Sequence, residues 1–248
     1  MGPTIAGLDS LLQMPTGCGE QTMIGLAPDV YVTDYLKSVN QLSGDIQTKA
    51  LSYMESGYQR ELTYKHTDSS FSAFGNSDAS GSMWLTAFVT RVFKQAKAHI
   101  YIDDEVLIKA IQWMVSKQNA NGSFPEPGNV IHKNMQGQAG SGVGLTLFVL
   151  ISLLENKDLL VNTNAAGVLV DEARQKALAY AEQEVAKTDD LYILNMAAYA
   201  FQLANSTQVQ TVLNKLEQKA TVKGSYSLFT IVVNLMNTNL MSTELLNR

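Results

Sequence analysis

Apolar residues recur at three- and four-residue intervals along nearly the whole chain, and no stretch sustains a strand-like alternation. That spacing predicts helices. It places them over residues 28–41, 46–58, 83–98, 104–118, 145–154, 171–186, 191–204, 208–220 and 225–241. Pro28 marks the expected start of the first, Ser43 or Asp45 caps the second, and Asp104 and Glu105 open the fourth. Residues 63–82 are rich in Ser, Gly, Asn and Asp and read as a long loop, with room for a short hairpin inside 60–76. Most of 119–144, with its glycines and two prolines, reads as loop too. The apolar run 143–154 is interrupted and too short to cross a bilayer, so it reads as a buried helix.

A weak repeat lies over this pattern. "LTAFV" at 85–89 returns as "LTLFV" at 145–149, and "SSFSAFGN" at 69–76 is echoed by "GSFPEPGN" at 122–129. Each unit is a Ser-Phe loop, an apolar helix and a more polar helix. Helical hairpins that cannot bury their apolar faces alone must stack on their neighbours. Stacking closes as an open solenoid or as a ring of inner and outer helices, with an irregular bundle as the plainer arrangement. A helix apolar on most faces, as 145–154 is, favours the ring.

Composition narrows the picture only a little. The chain has 248 residues, 46% of them hydrophobic, which suffices for one large core. Net charge is −5 with basic residues scattered, which argues against a nucleic-acid surface. The opening residues show neither a basic nor an apolar leader segment. A lone cysteine forms no internal disulfide. That fits a reducing compartment, but a domain of a larger secreted protein can also carry one thiol. Sequons at Asn121 and Asn205 decide nothing at this frequency.

The single cysteine, Cys18, stands three residues before Gln21 in "PTGCGEQTM". A thiolate attacking the glutamine carboxamide would expel ammonia and leave a thioester, closed through the main chain of Gly19 and Glu20. Such a ring needs a tight turn, which Gly17 and Gly19 permit. A helix start just beyond would lower the thiol pKa. A thioester in water hydrolyses, and Leu12, Met14, Met23 and Ile24 are the neighbours expected to shield it. The plainer reading is a small buried residue, the usual fate of a free cysteine.

The surrounding string changes that balance. "GCGEQ" preceded by Pro-Thr resembles the thioester signature of the alpha-2-macroglobulin and complement superfamily. The likeness extends through 14–36, through "GYQRELTYKHTDSSFSAFGNSDASGSMWLTAFV" at 57–89, and through "NGSFPEPGNVIHKNMQGQ" at 121–138. It covers roughly 3–158 and continues beyond only as helical pattern. "FSAFGN" and "GYQREL" lean toward the GPI-anchored and invertebrate branch.

The resemblance implies an all-α fold, an α/α toroid of stacked helical hairpins, incomplete at the C-terminus. It implies that 1–248 is one thioester-containing domain of a larger multidomain protein. Cys18 and Gln21 become the thioester partners, supported by Gly17, Glu20 and Gly19. His132, in "VIH", becomes the imidazole that attacks the thioester, forming an acyl-imidazole and freeing the Cys18 thiolate as base for a hydroxyl. Family members with Asn or Asp there favour amines. The implied function is innate-immune or protease-trapping transfer of an acyl group, in a single turnover rather than as a true enzyme. Its targets are hydroxyls or amines on carbohydrate, protein or proteases, and its partners the macroglobulin-type domains of the parent protein. No cofactor, metal, nucleic acid or transmembrane segment is implied, and the location is extracellular. The alternative is a spent domain that binds a receptor or regulator without forming a bond. A toroid glycosidase would need a carboxylate pair, and a zinc-dependent relative a ligand cluster; neither stands out.

The other candidates carry less weight. His66, in a polar loop, and His99, at a helix end, read as having no special role. Glu126, six residues before His132, could polarise it from a folded loop, but a solvated carboxylate is the plainer reading. Trp84, Phe71 and Phe74 read as core aromatics.

Overall fold

The computed structural model describes residues 8–160 and 165–219, together with the backbone of 222–223 and 226–227. Within them are eight helices: α1 Gly19–Ser38, α2 Gly44–Leu62, α3 Met83–Ala96, α4 Asp104–Ser116, α5 Gly142–Glu155, α6 Ala165–Val185, α7 Leu191–Leu203 and α8 Val209–Gln218. A minimal antiparallel pair joins β1 Val222–Lys223 to β2 Tyr226–Ser227. The helix expected over 225–241 is therefore not helical at Tyr226–Ser227, and the rest of it lies outside the described residues.

The helices alternate between two layers. α1, α3, α5 and α7 form an inner row in which each packs on the next, while α2, α4, α6 and α8 each cover it from outside. This is the α/α-toroid arrangement that the repeat and the resemblance predict. Burial follows the layers. On α5, eight of the nine residues from Gly144 to Ser152 are buried, and Leu153 with them. The outer helices bury only a stripe: Ala50, Met54, Tyr58 and Glu61 on α2, Leu107, Ala110, Ile111 and Met114 on α4, Val212 and Leu216 on α8. That is the i, i+3, i+4 pattern of a helix with one covered face.

The repeat is a physical one. Phe71 and Phe124 are both buried, and their amides donate to the hydroxyls of Thr86 and Thr146, the threonines of the two "LT" strings, at 2.9 and 3.1 Å. The turns before them match bond for bond. Asp68 Oδ1 and Asn121 Oδ1 each accept from the amide and hydroxyl of the serine two residues on. His66 and Asn119 each donate an amide to the carbonyl four residues later. The residue between is left-handed in both copies, Ser69 at φ 73° and Gly122 at φ 91°. The loop of the first unit also carries isolated bridges Lys65–Phe71 and Phe71–Ser82, the remnant of a hairpin in that region.

Two expectations need correction. The first helix begins at Gly19 and runs through Pro28. Pro28 deprives the Ile24 carbonyl of its helical donor, but Ile24 is exposed, while Met23, Leu26, Ala27 and Val30 are buried. Core burial on an inner helix outweighs one lost bond. Phe74 is not a core residue: it is half exposed at the edge of the loop, whereas Phe71 and Trp84 are buried, Trp84 stacked on Phe148 with centroids 5.5 Å apart.

Asp29 on α1 is buried, with Oδ1 accepting from the Gln13 amide at 3.1 Å. Burial pushes its carboxyl up to about 7, against the Gln13 bond and the Lys49 charge, which pull it down. A carboxyl whose pKa is raised on folding stabilises most below its unfolded value near ~4 and loses that contribution as pH climbs through the folded value. Asp29→Asn keeps an acceptor for Gln13 without the titration. The expected result is an unfolding free energy that falls by a few kcal/mol between about pH 4 and 8 in the natural chain and stays flatter in the variant. Parallel stability curves by urea titration would contradict it.

Candidate functional site

The site begins at the N-terminus of α1. Cys18 is the N-cap residue, extended at φ −75° and ψ 176°, and its amide donates to Gln21 Oε1 at 3.1 Å. The Gln21 carboxamide is thereby turned back over the residue it would have to acylate. Gly17 sits at φ +86°, and a Cβ there would lie 2.2 Å from Gln21 Oε1. Both backbone and space exclude a side chain. A Cβ at Gly19 would lie 2.7 Å from the Ser72 carbonyl oxygen, and the Gly19 amide donates to the Ala73 carbonyl.

Residues that the sequence reading passed over hold this turn. The Gly17 carbonyl accepts from Arg60 Nε and Nη2 at 2.9 and 2.6 Å and from the Tyr64 hydroxyl at 2.6 Å. Beside them Glu61 is wholly buried, its Oε1 3.3 Å from the position a Gly19 Cβ would take. No described residue hydrogen-bonds either carboxyl oxygen. Burial holds this carboxyl well above its usual range, against the lowering charge of Arg60. The only signal for these three was that they fall in the quoted "GYQRELTY" segment.

Glu20 joins the turn to the loop after the second Ser-Phe unit. It is fully buried and accepts from the Ile131 amide at 2.7 Å, the His132 amide at 2.9 Å and His132 Nδ1 at 2.6 Å. A buried carboxylate is tolerable only when paired and bonded, and the N-terminus of α1 adds a favourable dipole. An ionised carboxylate only accepts, so Nδ1 carries the hydrogen. In the neutral ring the lone pair then lies on Nε2, free for a nucleophilic role. The imidazole is 40% exposed.

Glu126 does not act on His132. Its oxygens accept from Ser82 Oγ and from the Met83 and Trp84 amides at 2.8–2.9 Å, and from Gly128, so it caps α3. His66 is buried against the Ser72 hydroxyl at 2.6 Å, and His99 pairs with Asp34 at 2.6 Å. Both are structural.

The expected shielding is only half present. Leu12 and Met23 are buried in the core, while Met14 and Ile24 are each nearly half exposed and Gln21 is exposed. Helix geometry explains the split: Ile24 shares the face of Gln21 at i+3, and Met23 does not. Beside Gln21 opens a groove of about 560 Å³, walled by Gly17, Ile24, Gly25 and Pro28 on one side and by Leu11, Met14 and Thr16 on the other.

The turn holds the Gln21 carboxamide against the Cys18 amide, and Glu20 anchors an imidazole to the same turn. A toroid opening on that turn defines a thioester-type domain. The chain belongs to the family described as the A-macroglobulin TED domain, the thioester-containing domain, whose family model matches residues 1–242. Ovostatin from Gallus gallus is 37% identical over 223 residues, which cover 89% of this chain and 14% of ovostatin. The chain therefore spans a small part of that relative's length. Among the described residues, no helix is long and apolar enough to cross a membrane.

Two substitutions separate the two glutamates. Glu20→Gln should speed amide hydrogen exchange at Ile131 and His132 by about tenfold or more, since bonds to a charged acceptor are the strong ones; unchanged protection would contradict the latch. Glu126→Ala should lower the unfolding free energy by about 2 kcal/mol through loss of the α3 cap, read by urea titration.

Proposed function

We propose that this domain forms an internal thioester between Cys18 and Gln21 and transfers the Gln21 acyl group to a hydroxyl on a target in one turnover. The observation that carries this reading is the Glu20 carboxylate, which sits between the two thioester residues in sequence and bonds His132 at Nδ1. The Cys18 thiol gives up its proton, its sulfur bonds Gln21 Cδ, and the carboxamide nitrogen takes up that proton and leaves as ammonia. In transfer, His132 Nε2 attacks the acyl carbon, the bond to Cys18 sulfur breaks, and the thiolate takes the proton of the incoming hydroxyl. The hydroxyl oxygen then displaces the imidazole. Glu20 keeps the proton on Nδ1 and the ring oriented, much as a buried carboxylate orients a catalytic histidine elsewhere. The acyl group is consumed, so the domain is a stoichiometric reagent and not a multiple-turnover enzyme.

Family membership supports a place in a larger extracellular protein of the protease-trapping or innate-immune kind. The targets are carbohydrate or protein surfaces, proteases included, and macroglobulin-type domains of the parent protein flank the site.

Intact mass tests the first step. The expected mass is lower than the plain sequence by one ammonia, and methylamine converts it to a mass one methylene above the plain sequence with release of one thiol. A mass equal to the plain sequence with an immediately titratable Cys18 rejects the reading. His132→Asn should cut transfer to glycerol by about a hundredfold and raise the share going to amines. Undiminished glycerol transfer would remove His132 from the mechanism.

A further inference from the structure

Two strings stand outside the acyl-transfer chemistry, Asn121-Gly122-Ser123 and Asn205-Ser206-Thr207. Each has the form that accepts an N-linked oligosaccharide in a protein of the secretory route. The fold treats them differently. At the first, the asparagine and the hydroxyl are locked in a turn. Asn121 Oδ1 accepts from the Ser123 amide at 3.1 Å and hydroxyl at 2.8 Å, and the buried Ser123 accepts from Asn119 Nδ2 at 2.9 Å. Gly122 between them lies on the Lys176 carbonyl oxygen of α6, 2.2 Å from where a Cβ would stand. The first Ser-Phe unit builds the same turn with Asp68. An acceptor oxygen is therefore what this position requires, and Asn121 needs no glycan to account for it.

The second string closes α7. Ala204 is the C-cap, Asn205 is left-handed at φ 53°, and the amides of Asn205 and Ser206 return to the carbonyls of Gln202 and Phe201. This is a Schellman end, where asparagine is a known substitute for glycine. Ser206 turns inward, its hydroxyl donating to Glu182 of α6 and accepting from the Gln208 amide. Asn205 and Thr207 are exposed, and neither side chain has a hydrogen-bond partner among the described residues.

We infer that Asn205 carries an N-linked oligosaccharide and that Asn121 does not. Of the proposed function this requires only the extracellular route. Glycosyl transfer needs two groups in the open, the asparagine amide and the hydroxyl two residues on. At Asn205 these are the two left unbonded, while the middle residue does the packing. At Asn121 the required hydroxyl is held by bonds only two residues long, which compete with any other conformation of the string. In the reaction Asn205 Nδ2 bonds the anomeric carbon of the first sugar of an oligosaccharide carried on a lipid pyrophosphate. The bond from that carbon to the pyrophosphate oxygen breaks, and the proton lost by Nδ2 leaves with the lipid pyrophosphate. The position also keeps the glycan clear of the acyl site. α7 starts at the end of the toroid that holds the Cys18 turn, where Asp190 bonds Gln138 of the loop that carries His132. Its 13 residues place Asn205 about 20 Å away, at the other end.

The test expresses the full chain behind a secretory leader in animal cells and reads retained and secreted protein together. Peptide N-glycosidase in heavy-oxygen water turns each glycan-bearing asparagine into an aspartate with one heavy oxygen. Peptide mass spectrometry should find that label at Asn205 in most molecules, and about tenfold less or lower at Asn121, where two local bonds hold the hydroxyl. An unlabelled Asn205, or equal labelling of the two, overturns the inference. Thr207→Ala removes the required hydroxyl from an exposed position and leaves the α7 cap intact. It should abolish the label at Asn205, and a label that persists also overturns the inference. Because the leader is supplied, an empty Asn205 counts against this site alone and leaves the extracellular and acyl-transfer readings standing.

Discussion

The site depends on one buried carboxylate. Glu20 lies at the start of α1 with no exposure to water, and its three donors come from Ile131 and His132. An unpaired carboxylate in that position would cost several kcal/mol. The loop that supplies the donors is therefore bound to the turn as firmly as the turn is bound to the helix. That requirement sets a distance: residues more than a hundred apart in sequence must meet at one helix end. The inner row meets it by placing α1, α3 and α5 side by side, so that the loop entering α5 passes back across the start of α1.

The repeated Ser-Phe turns make the meeting reproducible. Each turn is pinned by an amide-to-threonine bond onto the inner helix that follows it, at Phe71 and Thr86 and again at Phe124 and Thr146. The chain leaving the first turn presents the Ser72 and Ala73 carbonyls to Gly19. The chain leaving the second reaches Glu20 through Ile131 and His132, after Glu126 has fastened it to the N-terminus of α3. The thioester turn is thus clasped by the exits of two equivalent turns. Arg60 and Tyr64, from the end of α2, close the third side through the Gly17 carbonyl.

Much of this was legible in the sequence, and the misses have physical causes. Outer helices such as α4 were readable because one covered stripe leaves a clear period. The glycines of the motif were readable because their need is local: a left-handed φ at Gly17 and a close carbonyl at Gly19. Helix α1 was placed too late because Pro28 resembles a start signal, and only the buried residues before it reveal that the helix is already under way. Of the two glutamates, only Glu126 was weighed as a partner for His132, while Glu20 was read as support for the turn. Glu126 is near His132 in sequence yet spent on a helix cap, while Glu20, 112 residues away, makes the contact. Arg60, Glu61 and Tyr64 had no local signature, because their work is done on a backbone carbonyl and a glycine face brought up by tertiary packing.

On the proposed reading, making the acyl bond and keeping it fall to different groups. The groups that shape the turn are Arg60 and Tyr64 on the Gly17 carbonyl, the buried carboxyl of Glu61, and the Glu20 latch. Gln21 itself is exposed among half-exposed apolar side chains. Met23 and Leu12, which could have covered it, are spent on the core. Under the proposed acyl transfer, Gln21 would present an electrophile to whatever occupies the groove, and its lifetime would follow from the water content there more than from the strength of the turn. Strengthening the turn would speed closure, whereas filling the groove would slow hydrolysis. The two properties can vary independently because they rest on different groups: the donors that hold the turn and the side chains that line the groove.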